Sequence, residues 1–306
     1  MYHFLYCFDN NYIKQAFTSV FSVLENVDKK ITLHLISNLS EKNIKVPKKI
    51  QNHKYLDSLV FYEINLPTLN LYNLENAHVS EATFYRLFLQ DYLEIEGFVT
   101  YLDCDVICLE NPLNKIDDVI NNLKRSDKIV SFNTEILRGD GYGYFEDLNL
   151  QGDSYFNAGV MVFDFGKWVD FKVKEKSLDL IPKIKDKALF WDQDILNIIF
   201  DSINLELPTE LNSRTREESN NLVIFHHFSG KYKPWSINGI KQRFSNEFHD
   251  FFRTIYKEKY LINVSNFTNG KKHLNEKIKD REIRFDKQGF SLLYYSLKAL
   301  IKTILK

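Results

Sequence analysis

Two carboxylates spaced i, i+2 close an apolar run at Val99-Thr100-Tyr101-Leu102-Asp103-Cys104-Asp105. In an extended backbone that spacing sets both side chains on one face. Two carboxylates aimed at one point repel each other unless a cation lies between them. A hard divalent ion held by two carboxylates keeps open coordination positions, and diphosphate oxygens can fill those. The run therefore reads as a strand end that holds a metal-bound nucleotide. Three further stretches carry polar groups of the right kind. Phe156-Asn157-Ala158-Gly159-Val160 reads as a small-residue turn opening an apolar strand, where a ligand can approach the backbone closely and the Asn157 amide can meet hydroxyl groups. Trp191-Asp192-Gln193-Asp194 begins an apolar helix with Asp192 as its natural N-cap, and the same residues could face a pocket. His226-His227-Phe228-Ser229-Gly230-Lys231-Tyr232-Lys233-Pro234-Trp235 follows an apolar run, Leu222 to Phe225. A neutral imidazole from His227 can complete a site made of two carboxylates, and a Gly and a Lys suit a diphosphate. His226 reads as a satisfied core residue.

A strand followed by Asp-x-Asp also serves a different chemistry. Haloacid-dehalogenase-type phosphatases use the first Asp, here Asp103, as a nucleophile. Their motif ends the first strand, whereas about a hundred residues precede it here.

The elements that must position these groups alternate. Tyr2 to Phe8 reads as a buried strand ending in polar Asp9-Asn10-Asn11, and residues 12–27 carry Ile13, Phe17, Val20, Phe21 and Leu24 at helical spacing. Ile31 to Ile36 and residues 58–66 read as strands, Ala82 to Leu93 as a helix carrying Arg86, and Phe98 to Leu102 as the strand delivering the acid pair. Lys128 to Phe132 and Val160 to Phe165 are further strands. Alternation of this kind predicts an α/β fold with a mostly parallel sheet, whose ligands bind beyond the carboxyl ends of the strands.

The 306 residues suffice for one large domain with an appendage. A formal net charge of −1 gives no electrostatic case for nucleic acid, and three cysteines make neither a disulfide framework nor a zinc site, which points to a reducing compartment. The N-terminus lacks the basic start of a signal peptide, and no apolar run is long enough to span a bilayer. Residues 271–306 hold 10 Lys+Arg against 4 Asp+Glu, a charge of +6 that leaves −7 on the rest. Phe290 to Leu305 reads as a basic amphipathic helix with Lys298 and Lys302 on one face. Such a helix lies on an anionic lipid surface or packs back on the body with a solvated lysine edge.

In order and composition the motifs resemble glycosyltransferase family 8, the family of glycogenin and the bacterial lipopolysaccharide galactosyl- and glucosyltransferases. The resemblance covers residues 1–250 and rests on Asp9-x-Asn11-Tyr12, Phe84-Tyr85-Arg86-Leu87, Tyr-Leu-Asp-Cys-Asp at 101–105, and Tyr-Phe-Asn-Ala-Gly-Val at 155–160. It continues with Asp-Gln-Asp-Ile-Leu-Asn at 192–197 and His-Phe-x-Gly-x-x-Lys-Pro-Trp at 227–235. It implies a GT-A-type, Rossmann-like catalytic domain over residues 1–262 and a basic tail over 263–306. It also implies a retaining transfer of galactose or glucose from UDP-galactose or UDP-glucose to a saccharide or glycolipid acceptor in surface polysaccharide synthesis, without nucleic acid. Asp103, Asp105 and His227 would hold Mn²⁺, with Mg²⁺ the alternative ion. Asp9, Asn11 and Tyr12 would bind uridine; Arg86, Asn157 and Asp192 the sugar; Gly230 and Lys233 the diphosphate. Cys104 and Ala158 complete the donor-binding set, and Gln193, with Asp192, lies at the reacting face. The acceptor would bind around 133–160 and 190–235, where residues 135–155, with Gly139, Gly141, Gly143, Tyr142 and Tyr144, read as a mobile aromatic loop. Where similar galactosyltransferases carry an Asp that contacts donor or acceptor, this chain has Asn133, and Glu135 is the nearby carboxylate that could stand in. Family members of the lipopolysaccharide type carry membrane-associating basic tails, which implies a cytoplasmic enzyme peripheral on the inner face of the bacterial plasma membrane. The competing readings are the Asp-nucleophile phosphohydrolase and an inactive UDP-sugar-binding module.

Overall fold

Every residue of the first strand is apolar or aromatic apart from His3, and the structure uses both of its faces. The computed structural model describes residues 1–66, 81–140, 143–184, 187–188, 190–214, 222–230, 232–236, 239–263 and 287–305. Its strands are β1 (Tyr2–Phe8), β2 (Ile31–Ser37), β3 (Leu56–Glu63), β4 (Phe98–Leu102), β5 (Val106–Cys108), β6 (Val130–Leu137), β7 (Ser154–Asp164), β8 (Leu205–Glu206), β9 (Ser213–Arg214) and β10 (Phe225–His227). The helices are α1 (Ile13–Asn26), α2 (Lys48–Gln51), α3 (Leu113–Lys124), α4 (Tyr144–Asp147), α5 (Phe165–Asp170), α6 (Val173–Ile184), α7 (Asp192–Ile199), α8 (Ser245–Tyr256) and α9 (Lys287–Ile304).

The main sheet runs β3-β2-β1-β4-β7-β6-β8. The pairs β3-β2, β2-β1, β1-β4 and β6-β8 are parallel, while β7 runs antiparallel to both neighbours. A second small sheet, β5-β10-β9, lies beyond the carboxyl end of β4. The parallel α/β expectation thus holds, with one long antiparallel strand through it. Alternation along β1 sends Phe4, Tyr6 and Phe8 to one face, against Phe17, Val20, Phe21 and Leu24 of α1. Leu5 and Cys7 go to the other face, against Phe84, Tyr85, Leu87 and Trp168. Two apolar cores on opposite faces make a three-layer domain. Chain order reverses between β1, which continues outward to β2, and β4 on its other side. That switch point is where such sheets hold ligands.

Several local expectations change. Residues 81–93 are two short 3₁₀ turns, Glu81–Leu87 and Leu89–Asp91, rather than one helix. The predicted strands 58–66 and Lys128 to Phe132 shift to β3 and β6, and the strand near 222–225 is displaced to β10, so His226 and His227 lie within it. Asn157-Ala158-Gly159 is not a turn before a strand but the middle of the eleven-residue β7. The register between β6 and β7 slips between Ser131 and Asn133. Across that slip the residues of β7 in one core change from Phe156 and Ala158 to Met161 and Phe163. The three extra residues of β7 across this slip, like the extra residue of a β-bulge, re-aim its side chains, and they lie beside the acid pair.

The stretch read as a mobile loop is largely tied down. Arg138 Nη2 donates to the carbonyls of Leu150 (2.6 Å) and Gly152 (2.9 Å), and its guanidinium lies 4.6 Å over the Phe145 ring. Asp201 accepts from the Gln151 and Gly152 amides, and Phe145, Leu148, Leu150 and Tyr155 form a small core of their own. Gly141 and Tyr142 lie outside the described residues.

At the C-terminus α9 packs Leu292, Tyr295 and Ala299 on Ile240, Tyr260 and Ile262. It leaves Phe290, Tyr294, Leu297, Ile301 and Ile304 exposed. Residues 264–286, which hold ten of the fourteen charged residues of 271–306, lie outside the described ones. Among the described residues, no helix is long and apolar enough to cross a membrane.

Candidate functional site

Asp103 and Asp105 do converge, but not through an extended backbone. β4 ends at Leu102, and the Val106 amide donates to the Asp103 carbonyl (3.1 Å), so residues 103–106 form a tight turn. The turn leads into β5, which pairs antiparallel with β10 so that His227 faces Val106 across the ladder. Ligand atoms of Asp103, Asp105 and His227 all lie within 4.8 Å of one another. His227 Nε2 is 3.3 Å from Asp105 Oδ1 and 4.0 Å from Asp103 Oδ2.

Each of the three has its other polar atom tied. Tyr101 Oη donates to Asp103 Oδ1 (2.6 Å), and Arg86 Nη1 donates to the same oxygen (3.3 Å). His227 Nδ1 meets Asn212 Oδ1 (3.1 Å). Asp105 Oδ2 takes the Lys233 ammonium, which also donates to the Phe228 carbonyl (2.6 Å). Asp105 Oδ1 is buried with no hydrogen-bond donor among the described residues; its approach to His227 has ion-pair distance without hydrogen-bond alignment. A buried carboxylate oxygen without a donor is costly. One carboxylate oxygen from each Asp and one imidazole nitrogen make a donor set that suits Mn²⁺ or Mg²⁺, with the remaining positions open. The residues therefore fit a divalent cation. Burial raises the proton affinity of Asp105, but the charge of the Lys233 ammonium and the hydrogen bond it donates do most to outweigh it and hold the carboxyl well below the usual range.

Glycine at position 159 is a steric requirement. A Cβ there would lie 2.2 Å from His227 Cε1 and 2.6 Å from Nδ1, so the imidazole rests on the bare backbone of β7. The Gly159 carbonyl also accepts from the Asp103 amide (2.8 Å).

Next to the acid pair lies a buried charge network. Arg86 is 4 % exposed; its Nε and Nη2 reach Asp192 Oδ2 at 2.5 Å, and its Nη1 donates to the Ala158 carbonyl (2.6 Å). Its guanidinium lies 4.8 Å over the Tyr101 ring. Burial pushes the Asp192 carboxyl up to about 6, and Arg86 draws it back. Asp192 is not the helix cap: Trp191 holds that position at φ +47°, ψ −103°, and Asp192 is the first helical residue. That backbone region is one non-glycine residues rarely adopt. Asp194 secures the turn by accepting from the Phe190 amide (2.7 Å) and from Tyr155 Oη (2.6 Å).

Gln193 Oε1 accepts from the Ala158 amide (3.1 Å), and its Nε2 donates to Tyr155 Oη (3.2 Å) and Glu135 Oε2 (3.3 Å). Asn157 Oδ1 accepts from the Gly159 amide and from Asn212 Nδ2 (both 3.0 Å), while its Nδ2 donates to Glu135 (3.1 Å). Asn133 points elsewhere: it is fully buried, and its Nδ2 donates to Glu206 (3.1 Å) and the Leu207 carbonyl (3.1 Å). Glu135, two residues on, is the carboxylate that reaches the Gln193–Asn157 pair.

Other expected site residues fall nearby in differing ways. Asp9 ends β1 and accepts from the Asn11 amide (2.8 Å), and the Tyr12 ring meets Trp235 edge-on at 6.0 Å. Gly230 holds a positive φ of +74° ahead of Lys233. The Cys104 side chain is buried with its thiol on the Cys7 carbonyl (3.4 Å), so only its backbone borders the site. His226 is a core residue, yet it is packed by rings, Phe228 and Phe244 edge-on, rather than by hydrogen bonds among the described residues. Tyr101 and Tyr155 open motifs read from the sequence but were given no role there, and Asn212 was not singled out at all. Asn212 lies just before a two-residue strand in a stretch without periodicity, where nothing in its type or spacing marks it.

The model of the family described as glycosyl transferase family 8 matches residues 3–239, most of this chain. The chain belongs to that family. As a glycosyltransferase it is 25% identical over 276 residues to general stress protein A of Bacillus subtilis, covering 81% of this chain and 92% of that one. It is 27% identical over 317 residues to a lipopolysaccharide 1,2-glucosyltransferase of Escherichia coli, covering 95% and 88%. Among solved structures it resembles the galactosyltransferase LgtC in complex with donor and acceptor sugar analogues (TM-score 0.70, 22% identity, 83% of this chain and 96% of that one). It also resembles the glycosyltransferase GlyE of Streptococcus pneumoniae (TM-score 0.61, 19% identity, 91% and 63%). These structural likenesses establish the shared fold.

Proposed function

We propose that this glycosyltransferase moves a hexose, galactose or glucose, from a UDP-sugar to a saccharide or glycolipid acceptor in surface polysaccharide synthesis, with retention of configuration and with Mn²⁺ or Mg²⁺. The observation that carries the reading is the convergence of Asp103 Oδ2, Asp105 Oδ1 and His227 Nε2, with Asp105 Oδ1 lacking a donor among the described residues. The two lipopolysaccharide 1,2-glucosyltransferases of Escherichia coli among the relatives support a surface-polysaccharide acceptor.

A divalent ion bound there would screen the diphosphate as it leaves. The chain's own groups supply the rest. Lys233, already 20 % exposed at the rim of the acid pair, carries an ammonium that meets developing negative charge on the diphosphate. Gly230, with its positive φ, lets the backbone of that loop approach phosphate oxygens. Tyr12 with Trp235 and the Asp9–Asn11 turn form the uridine end. Arg86 and Asp192, bonded to each other beside Ala158, offer a fixed donor and acceptor to sugar hydroxyls. Gln193 presents its amide toward Glu135 at the reacting face. Asp192 Oδ2 is held by both Nε and Nη2 of the buried Arg86, which favours a front-face displacement assisted by these fixed dipoles over a covalent intermediate on Asp192.

The test is release of UDP from UDP-galactose and from UDP-glucose, with Mn²⁺ or with EDTA. Release that needs metal and is abolished in a folded Asp105→Ala protein is expected. Metal-independent release, or full activity in Asp105→Ala, would overturn the site. Tight UDP-sugar binding without turnover on any acceptor would instead favour the inactive binding module. Phosphate release from a simple phosphomonoester would favour Asp103 as a nucleophile.

The tail reading joins this proposal. The exposed Phe290, Tyr294, Leu297, Ile301 and Ile304 recur at steps of four and three, one stripe of the helix, beside the exposed Lys302. An interfacial helix of this kind supports peripheral attachment to an anionic leaflet on the cytoplasmic side.

A further inference from the structure

Resting on the metal-site reading above, we propose that Asn212 is a positioning residue, the middle of a hydrogen-bond relay that fixes which nitrogen of His227 faces the cation. The relay starts at a group whose polarity is not adjustable. The Gly159 backbone N–H can only donate, and it donates to Asn157 at 3.0 Å, so that atom of Asn157 is its oxygen. Asn212 approaches the same oxygen at 3.0 Å and must therefore present its Nδ2 there. The other end of the Asn212 amide is then its Oδ1, an acceptor, and it sits 3.1 Å from His227 Nδ1. Two lone pairs at that distance repel, so Nδ1 carries a hydrogen. In the neutral ring the lone pair is then on Nε2, the atom between Asp103 and Asp105. The Asn157 amide nitrogen closes the chain by donating to Glu135.

Burial makes the relay rigid. Asn212 is fully buried, and Asn157 and His227 are nearly so, so water does not offer the ring an alternative partner. The ring cannot flip without carrying Nδ1 off Asn212, and its Cε1, Nδ1 and Nε2 atoms lie against the bare backbone of Gly159. A ligating histidine whose other nitrogen is held by a neighbour gains both orientation and basicity, and loss of such a partner costs about 10–100-fold in metal affinity.

The experiment has two independent arms on the full chain. In the first, ¹⁵N-histidine spectra of the metal-free protein at neutral pH, with His227 assigned by its absence in His227→Gln, read the protonation of each ring nitrogen. A protonated Nδ1 is expected; an unprotonated Nδ1 overturns the relay, and this arm needs no Asn212 variant to fold. In the second, Mn²⁺ is titrated into protein saturated with UDP, followed by melting temperature. Asn212→Leu is expected to weaken Mn²⁺ by about 10–100-fold with metal-free UDP affinity unchanged, whereas Asn212→Asp, whose carboxylate still accepts from Nδ1 although it gives up the donor to Asn157 Oδ1, is expected to weaken it less. Equal loss in both variants, or loss in neither, overturns the proposal. If the wild-type protein itself shows no Mn²⁺ response, the metal-site reading fails and this inference with it; if wild type responds and Asn212→Leu matches it, only the relay fails.

Discussion

Replacing Gly159 with alanine puts a methyl carbon 2.2 Å from His227 Cε1, 2.6 Å from Nδ1 and 2.9 Å from Nε2. Carbon atoms reach comfortable contact at about 3.5 Å, so the ring and the strand must part by about 1.3 Å. Metal–ligand distances tolerate only about 0.2 Å. The ring cannot absorb that displacement and keep both Nδ1 on Asn212 and Nε2 between the two aspartates. The cost to the fold is that of overpacking, about 1–3 kcal/mol. The cost to the cation is loss of at least the orientation of one ligand in three, about 10–100-fold in affinity or about 1.4–2.8 kcal/mol. The assay is the Mn²⁺ dependence of the melting temperature at saturating UDP, alongside metal-dependent UDP release. Gly159→Ala should melt cooperatively in EDTA, require at least tenfold more Mn²⁺ and turn over slowly. A folded variant whose Mn²⁺ midpoint stays within twofold of wild type would refute the claim that His227 ligates from its place against β7.

Three other outcomes are expected. Arg86→Met leaves the Asp192 carboxylate buried without its guanidinium, a loss of about 3–5 kcal/mol; urea unfolding should show it, and adding Asp192→Asn should recover part, whereas an unchanged midpoint would mean that Asp192 is solvated. Burial lowers His34 and His249 to about 4 and His226 to about 3. Because these folded values lie below the unfolded value of about 6.5, the unfolded chain binds the extra protons, and stability present at pH 8 is lost as pH falls below 6.5. Each histidine withdraws about 2 kcal/mol by pH 5, and denaturant midpoints for His226→Phe should fall less steeply with acid than those of wild type. Ile301→Glu with Ile304→Glu should release the protein from anionic vesicles while leaving UDP release intact; undiminished vesicle binding would remove the lipid role from α9.

Legibility in the sequence followed the distance over which each feature is determined. The buried strand Tyr2–Phe8 and the helix after it depend on local pattern, and both appear where hydrophobic periodicity places them. The acid pair was identified from its residues, but its geometry was not: a turn at 103–106, not a pleat, brings the two carboxylates together. Asn157-Ala158-Gly159 looked like a turn because small and amide residues usually mark one. In the fold it is a strand interior, since the imidazole of a residue 68 positions later needs the missing side chain. Asp192 likewise has the type of a cap but is drawn to Arg86, 106 residues away. Asn212 has no local signature because its whole role is played against residues brought to it by β7 and β10.

The ammonium of Lys233 has a consequence for the resting protein. It sits on one of the two acids, so the cleft carries its own placeholder for positive charge before any divalent ion arrives. A bare hydrated ion taken up by Asp105 Oδ1 would set a second positive charge beside the ammonium on Oδ2, with nothing to offset their repulsion. On the proposed reading, an ion arriving already clasped by a nucleotide's phosphates would offer the lysine new anionic company in the same move, so the cleft would favour the paired cargo over either part alone.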